Sequence, residues 1–171
     1  LERVAAATLT PAFAEAAHIV EIELVNNRLV VVPIEPRAAI GSYDPKGDSL
    51  ELLLTGQGVH SLRQQLAAAV FHMPPDRIVV HAPDVGGGFG SKIYHYGEEA
   101  LVLAAAKKLG RPVRWTAERS ESFLSDAHGR DHVTKIELAT DLEGNFIAFR
   151  TETMANVGAY LSNFATVTPT F

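Results

Sequence analysis

The chain of 171 residues is 47% hydrophobic and 20% charged, the proportions of a folded globular domain and not of a disordered one. Its net charge of −5, with 15 Lys+Arg against 20 Asp+Glu and no basic run, argues against nucleic acid or an anionic membrane surface as a partner. With no Cys it can form no disulfide, thiolate metal site, iron–sulfur ligation or Cys nucleophile, and it suits a reducing, cytoplasmic compartment.

No stretch reaches the roughly 18 uninterrupted apolar residues of a membrane helix. Residues 1–17 read as a lead-in or short helix, Ala-rich but carrying Glu2, Arg3 and Glu15, unlike a signal segment. A start without Met and an end at Phe171 without a tail signal read as a fragment of a longer polypeptide. From His18 to Val25 the apolar residues Val20, Ile22 and Leu24 alternate with Glu21 and Glu23, which predicts a half-buried strand. Asn26-Asn27 is a turn. Arg28 to Ala39 is extended but broken by Pro33 and Pro36, an irregular or edge strand. Ile40 to Tyr43 and Ser49 to Thr55 flank Asp44-Pro45-Lys46-Gly47-Asp48, a hairpin signal.

After Gly56-Gln57-Gly58, the spacing of Val59, Leu62, Leu66 and Val70 predicts a helix stopped by Pro74-Pro75. Ile78 to His81 is a short strand, followed by the loop Gly86-Gly87-Gly88-Phe89-Gly90. A helix over about Gly97 to Leu109 is apolar nearly all round, which predicts a buried one. Val113 to Ala117 is a strand, and Arg130 to Thr140 with Asn145 to Met154 form a hairpin across Asp141-Leu142-Glu143-Gly144. The simplest assembly is one mixed α+β unit, a two-layer mixed sheet with packed helices.

Four glycines within five residues expose successive N–H groups and let a ligand approach the backbone closely. The spacing misses the third glycine of a dinucleotide fingerprint, and Gly90 is followed by Ser91-Lys92 where a P-loop needs Gly-Lys-Ser/Thr. Gln57, a neutral amide between two glycines, could donate to an oxygen ligand, though spacing alone favours a polar turn residue or cap. The seven His residues show no metal-binding helical pair, so no metal ligand is assigned. Ser125, Asp126 and His128 are too close in sequence to face one another as a triad. Glu98-Glu99 suit the first turn of a helix through its dipole, and Glu118, Arg119 and Glu121 read as a solvated loop.

Four blocks occur in order. They are Asn27-Arg28-Leu29 with Pro33-Ile34-Glu35-Pro36-Arg37; Thr55-Gly56-Gln57-Gly58-Val59-His60; Asp84-Val85-Gly86-Gly87-Gly88-Phe89-Gly90-Ser91-Lys92; and Gly110-Arg111-Pro112-Val113-Arg114-Trp115 with Glu118-Arg119. Together they resemble the molybdopterin-binding large subunit of the xanthine dehydrogenase and aldehyde oxidase family, most in the style of its bacterial carbon monoxide dehydrogenase branch. Gly129-Arg130-Asp131-His132 and Val157-Gly158-Ala159-Tyr160 fit the same family.

The resemblance implies a lead-in at 1–17 and the N-terminal part of a molybdopterin-binding domain, truncated, at 18–171. It implies that Gln57 approaches an oxygen on molybdenum as a catalytic donor. It implies that the Gly87, Gly88, Phe89 and Gly90 loop meets the cofactor, with the backbone N–H groups of the last three as donors. The implied cofactor is molybdenum-molybdopterin in its cytosine dinucleotide form, with iron–sulfur clusters and FAD in separate partner subunits. The implied reaction oxidises a small substrate (carbon monoxide, an aldehyde or a heterocycle) with water-derived oxygen, in an enzyme that is not inserted in a membrane. The general base and the copper-binding Cys of the carbon monoxide branch are expected beyond Phe171, so the fragment alone should be inactive. The alternatives are a non-catalytic phosphate or nucleotide module built on the glycine loop, and a structural assembly domain.

Overall fold

The computed structural model describes residues 6–160. Residues 1–5 of the lead-in and residues 161–171 of the expected domain lie outside the described residues. The hydrophobic pattern reads as one mixed unit, whereas the structure has two compact units, Val30–Gly129 and the segments on either side of it.

The Val30–Gly129 unit is built on a mixed sheet ordered β5-β4-β3-β6. β3 (Ala38–Asp44) and β4 (Ser49–Leu54) form the expected hairpin. Its turn is closed by Asp44, whose carboxylate accepts the N–H groups of Lys46 at 3.0 Å and Gly47 at 3.2 Å. β4 returns through α2 (Val59–Gln65) to β5 (Ile78–His81), which lies parallel to it. β6 (Val113–Thr116) pairs antiparallel with β3. Alternation along β4 sends Leu50, Leu52 and Leu54 into a core with Ala39, Leu62, Leu66, Ile78, Val102 and Leu103.

Three local readings are corrected. The helix expected from Val59 to Pro74 is α-helical only to Gln65; a π turn over Leu66–Phe71 follows and ends at His72, whose φ is 49°. The widened turn keeps Leu66 and Ala67 buried. α3 (Gly97–Leu109) is not apolar-buried all round: Val102, Leu103 and Ala106 are buried, while Leu101 and Leu109 are exposed, since only one face meets the sheet. The segment read as a solvated loop is α4 (Arg119–Ser125), started by a reciprocal capping box between Glu118 and Glu121.

The other unit is an antiparallel sheet ordered β1-β8-β9. β1 (His18–Asn26) pairs along its whole length with β8 (His132–Thr140), which turns back through Asp141–Asn145 into β9 (Phe146–Ala155). α1 (Ala6–Glu15) covers one sheet face, placing Phe13 on Ala139 and Ala148. β2 (Leu29–Val30) and β7 (His128–Gly129) pair with each other. No helix among the described residues is long and apolar enough to cross a membrane.

Gly41 marks the closest helix–sheet approach. A Cβ there would lie 2.6 Å from the Val102 carbonyl carbon and 2.7 Å from the Leu103 nitrogen, both backbone atoms of α3. Neither can swing aside. Gly41→Ala is expected to destabilise the protein by roughly 1–3 kcal/mol as an overpacked contact, with thermal unfolding as the check; an unchanged melting temperature would mean α3 shifts freely over β3.

Candidate functional site

The glycine loop is connected to α3 through a single 3₁₀ turn, Ser91–Ile93, which the sequence reading did not include. Three residues of the loop have left-handed backbone: Gly87 at φ 97°, Phe89 at 48° and Gly90 at 89°. Glycine accepts that geometry at no steric cost, whereas Phe89 is strained by it. Phe89 is also 76% exposed. The segment Gly56–Gly58 lies over this loop. Gln57 N–H donates to the Lys92 carbonyl at 2.9 Å, and Gly90 N–H donates to Gln57 Oε1 at 3.1 Å.

That second bond orients the amide. Because a backbone N–H can only donate, the atom facing it is the oxygen, and the Gln57 NH2 group has no partner among the described residues. Gly88 supplies the room. A Cβ on Gly88 would lie 2.3 Å from Gln57 Oε1 and 2.6 Å from its Cδ, so the glycine is required by space and not by positive φ. Among the described residues no hydrogen bond engages the N–H of Gly88 or Phe89. Of the three expected loop donors, Gly90 is therefore already spent on Gln57.

This arrangement is held by residues to which no motif in the sequence assigns a role of their own. Glu35 Oε2 accepts from Gly86 N–H at 2.8 Å and from Lys92 Nζ at 3.0 Å. Partial burial opposes the Glu35 charge, but the Lys92 and Gly86 bonds hold its carboxyl below the usual range. Lys92 is 3% exposed, and its charge is consumed by this pair. At the other end of the loop, Ser91 donates both N–H and Oγ–H to the Gly88 carbonyl at 2.9 Å. The Tyr96 hydroxyl donates to the Ser91 carbonyl at 2.7 Å and accepts Ala127 N–H. Burial pushes the Tyr96 hydroxyl up to about 12, so it remains a donor.

Tyr96 is itself stacked on Arg37, whose guanidinium lies 3.6 Å from the ring centroid. Arg37 is buried and shared: it donates to Asp126 at 2.7 Å, to Glu98 at 3.1 Å and to Ser125 at 3.3 Å. Glu98 is thus an ion-pair partner more than a dipole cap, and Ser125 and Asp126 serve Arg37 and not a triad. Arg119 donates to the carbonyls of Pro33 at 2.6 Å and Ile34 at 2.8 Å, fixing the segment that carries Glu35 and Arg37. Their signal in the sequence was the block Glu35-Pro36-Arg37 itself, between strands and without periodicity.

The chemistry of this donor set is neutral. The Gln57 NH2 and the Gly88 and Phe89 N–H groups can meet an electron-rich oxygen at short range with no net charge. A phosphate would find Lys92 already neutralised and the Gly86 N–H taken by a carboxylate. The residues present therefore fit an oxygen ligand that needs neutral donors, as a molybdenum cofactor would offer, better than a phosphate.

The family model described as the molybdopterin cofactor-binding domain matches residues 2–171. Among curated relatives, the 6-hydroxypseudooxynicotine dehydrogenase complex subunit gamma of Paenarthrobacter nicotinovorans is 38% identical over 149 residues, covering 87% of this chain and 18% of that protein. The carbon monoxide dehydrogenase large chain of Hydrogenophaga pseudoflava is 30% identical over 148 residues, with 86% and 18% covered. The solved structure of quinoline 2-oxidoreductase from Pseudomonas putida 86 superposes with a TM-score of 0.81 at 35% identity, covering 91% of this chain and 20% of that one. The chain spans about a fifth of the length of these proteins.

Glu99, at the first turn of α3, is 7% exposed, and its Oε2 accepts Tyr96 N–H at 3.3 Å. Burial, only partly offset by that bond and by Arg37, pushes its carboxyl from 4.5 up to about 7. The folded state therefore holds this proton more tightly, and the stability it confers is complete below pH 4.5 and lost as pH rises through about 7. Glu99→Gln keeps the acceptor and removes the titration. Its stability relative to wild type should rise by on the order of 3 kcal/mol across that window, read from denaturant unfolding at a series of pH values; a difference that stays flat with pH would show that Glu99 titrates as an ordinary surface carboxylate.

Proposed function

The chain belongs to the molybdopterin cofactor-binding domain family, and from that premise we propose that it forms part of the cofactor pocket in the large subunit of a molybdenum oxidoreductase. When bound, the cofactor would supply two-electron oxidation with water-derived oxygen. The chain supplies orientation and donors. Gln57 presents its NH2 toward the cofactor, held in register by Gly90 N–H. The N–H groups of Gly88 and Phe89 present two further neutral donors, and Gly87 allows the turn that aims them. The observation that carries this reading is the bond from Gly90 N–H to Gln57 Oε1 at 3.1 Å directly over Gly88, which fixes a donor set before any ligand arrives.

The relatives' names make one a subunit of a dehydrogenase complex and the other the large chain of a dehydrogenase. By the family resemblance the parent would work with an iron–sulfur subunit and a flavin subunit, in the cytoplasm, on a small substrate such as carbon monoxide, an aldehyde or a heterocycle. The cofactor is taken in its cytosine dinucleotide form. The oxidised face of the substrate would meet groups supplied outside this chain.

In the full-length parent, Gln57→Ala should lower kcat by about 10²–10³-fold, the cost of one preorganised donor, with molybdenum per protein unchanged. Gly88→Ala should cause a similar loss by displacing the same amide. The two substitutions should then be non-additive, the Gly88→Ala penalty largely vanishing in the Gln57→Ala background. Steady-state kinetics at measured metal loading decides it: wild-type turnover for Gln57→Ala, or fully additive losses, would remove Gln57 from the site.

A further inference from the structure

Two successive peptide groups of the glycine loop are each held by a different side chain. Gln57 Oε1 takes the N–H of Gly90, the donor end of the Phe89–Gly90 peptide, at 3.1 Å. The Gly88–Phe89 peptide is held by its acceptor end. Its Gly88 carbonyl takes both the N–H and the Oγ–H of Ser91, each at 2.9 Å. A carbonyl cannot donate, so the Ser91 hydroxyl is the donor in that bond. Ser91 is 2% exposed, and its own carbonyl is fixed by the Tyr96 hydroxyl at 2.7 Å.

Phe89 gives this peptide a reason to turn over. Its φ is 48°, a left-handed backbone that a bulky residue adopts only at a cost. Rotating the Gly88–Phe89 peptide, through ψ of Gly88 and φ of Phe89, would return Phe89 to negative φ. Gly88 has no Cβ to oppose that rotation. The turn would also exchange the two ends of the peptide. The bond is trans, so its N–H and C=O point in opposite directions. The Gly88 oxygen would come to stand where the Phe89 N–H now points, and a neutral donor would become an acceptor that repels an electron-rich oxygen. The two bonds from Ser91 oppose this.

We infer that Ser91 is a positioning residue, whose hydroxyl joins its N–H in locking the Gly88 carbonyl and thereby aims the Phe89 N–H as a donor. The inference rests on the proposed reading of the Phe89 N–H as one of the cofactor's donors; Ser91 itself need not touch the ligand. Any residue at this position except proline keeps the backbone bond, so the hydroxyl is the part of the lock that the sequence chooses. Ser91→Ala leaves the Gly88 carbonyl with one donor. No buried acceptor is then orphaned and the fold is kept, but the lock is halved.

The test uses the full-length parent at measured molybdenum content. Hydrogen exchange, resolved to single amides by mass spectrometry, follows the N–H of residue 91, which loses its acceptor when the peptide turns. Ser91→Ala is expected to speed that exchange and to lower kcat, each by about 5–10-fold, the effect of one buried hydrogen bond. Molybdenum per protein should stay unchanged. In a Phe89→Gly background the strain that drives the turn is absent. Adding Ser91→Ala there should change exchange and kcat by less than about twofold. Equal losses in both backgrounds would make Ser91 a packing residue and overturn the inference, as would a kcat that falls only in proportion to lost molybdenum. Unchanged exchange in Ser91→Ala overturns the lock while leaving the Phe89 N–H reading untouched. Faster exchange with wild-type kcat overturns the positioning role and, with it, that reading of the Phe89 N–H.

Discussion

Two charged side chains, Glu35 and Arg37, hold both ends of the glycine loop from one short segment. Glu35 takes the Gly86 N–H and the Lys92 ammonium, so the loop's entry and its exit close on a single carboxylate. Arg37 acts one step further out. It is stacked on Tyr96, and the Tyr96 hydroxyl holds the Ser91 carbonyl at the loop's end. Both charges are compensated by partners of opposite sign, which is the condition under which burying them is tolerable. Asp126 and Glu98 meet Arg37, and Arg119 clamps the carbonyls before Glu35. The left-handed Phe89 persists because this surrounding network over-determines it.

The consequence for the site is its neutrality. A glycine loop beside a lysine suggests an anion site, but here the lysine is turned inward and cancelled. What is left without a partner among the described residues is an amide NH2 and the backbone N–H groups of Gly88 and Phe89. Neutral donors held in place need no reorganisation as charge on a bound oxygen changes. A fixed cation would instead hold one charge state most strongly. That distinction ties the buried Glu35–Lys92 pair to the proposed chemistry, although neither side chain needs to touch the cofactor.

The two sheets illustrate different ways of satisfying a strand's inner face. In the Val30–Gly129 unit, β4 alternates Leu50, Leu52 and Leu54 against helices carried by the same unit. In the β1-β8-β9 sheet one face is served by α1, and the other keeps Val20, Ile22 and Phe149 open. Alternation reports which residues want burial. It does not report what buries them.

Local chemistry made much of this legible in advance. The strand at His18–Val25, the Asp44–Asp48 turn, the glycine and proline punctuation around Gly58, Pro74 and Gly110, and the singling out of Gln57 and the Gly87–Gly90 loop through family resemblance all rest on neighbouring residues or fixed motifs; the half-burial expected of that strand is not found, since Val20, Ile22 and Leu24 are exposed. Other features required the folded chain. That β1 pairs with β8 and not with the segment after Asn26 depends on residues about a hundred positions apart. That α3 buries one face, that Glu118 and Glu121 cap a helix, and that Glu99 is pushed up to about 7 follow from what packs against them. The reason Gly88 must be glycine belongs to the same class. Its sequence neighbours suggest conformational freedom, whereas the cause is Gln57, brought over it from the far side of α2 and β5. Sequence determines the residue types and local turns because those depend on short-range sterics; only tertiary structure decides which charges cancel and which amide fills a glycine's space, because those depend on distances that the chain sets by folding.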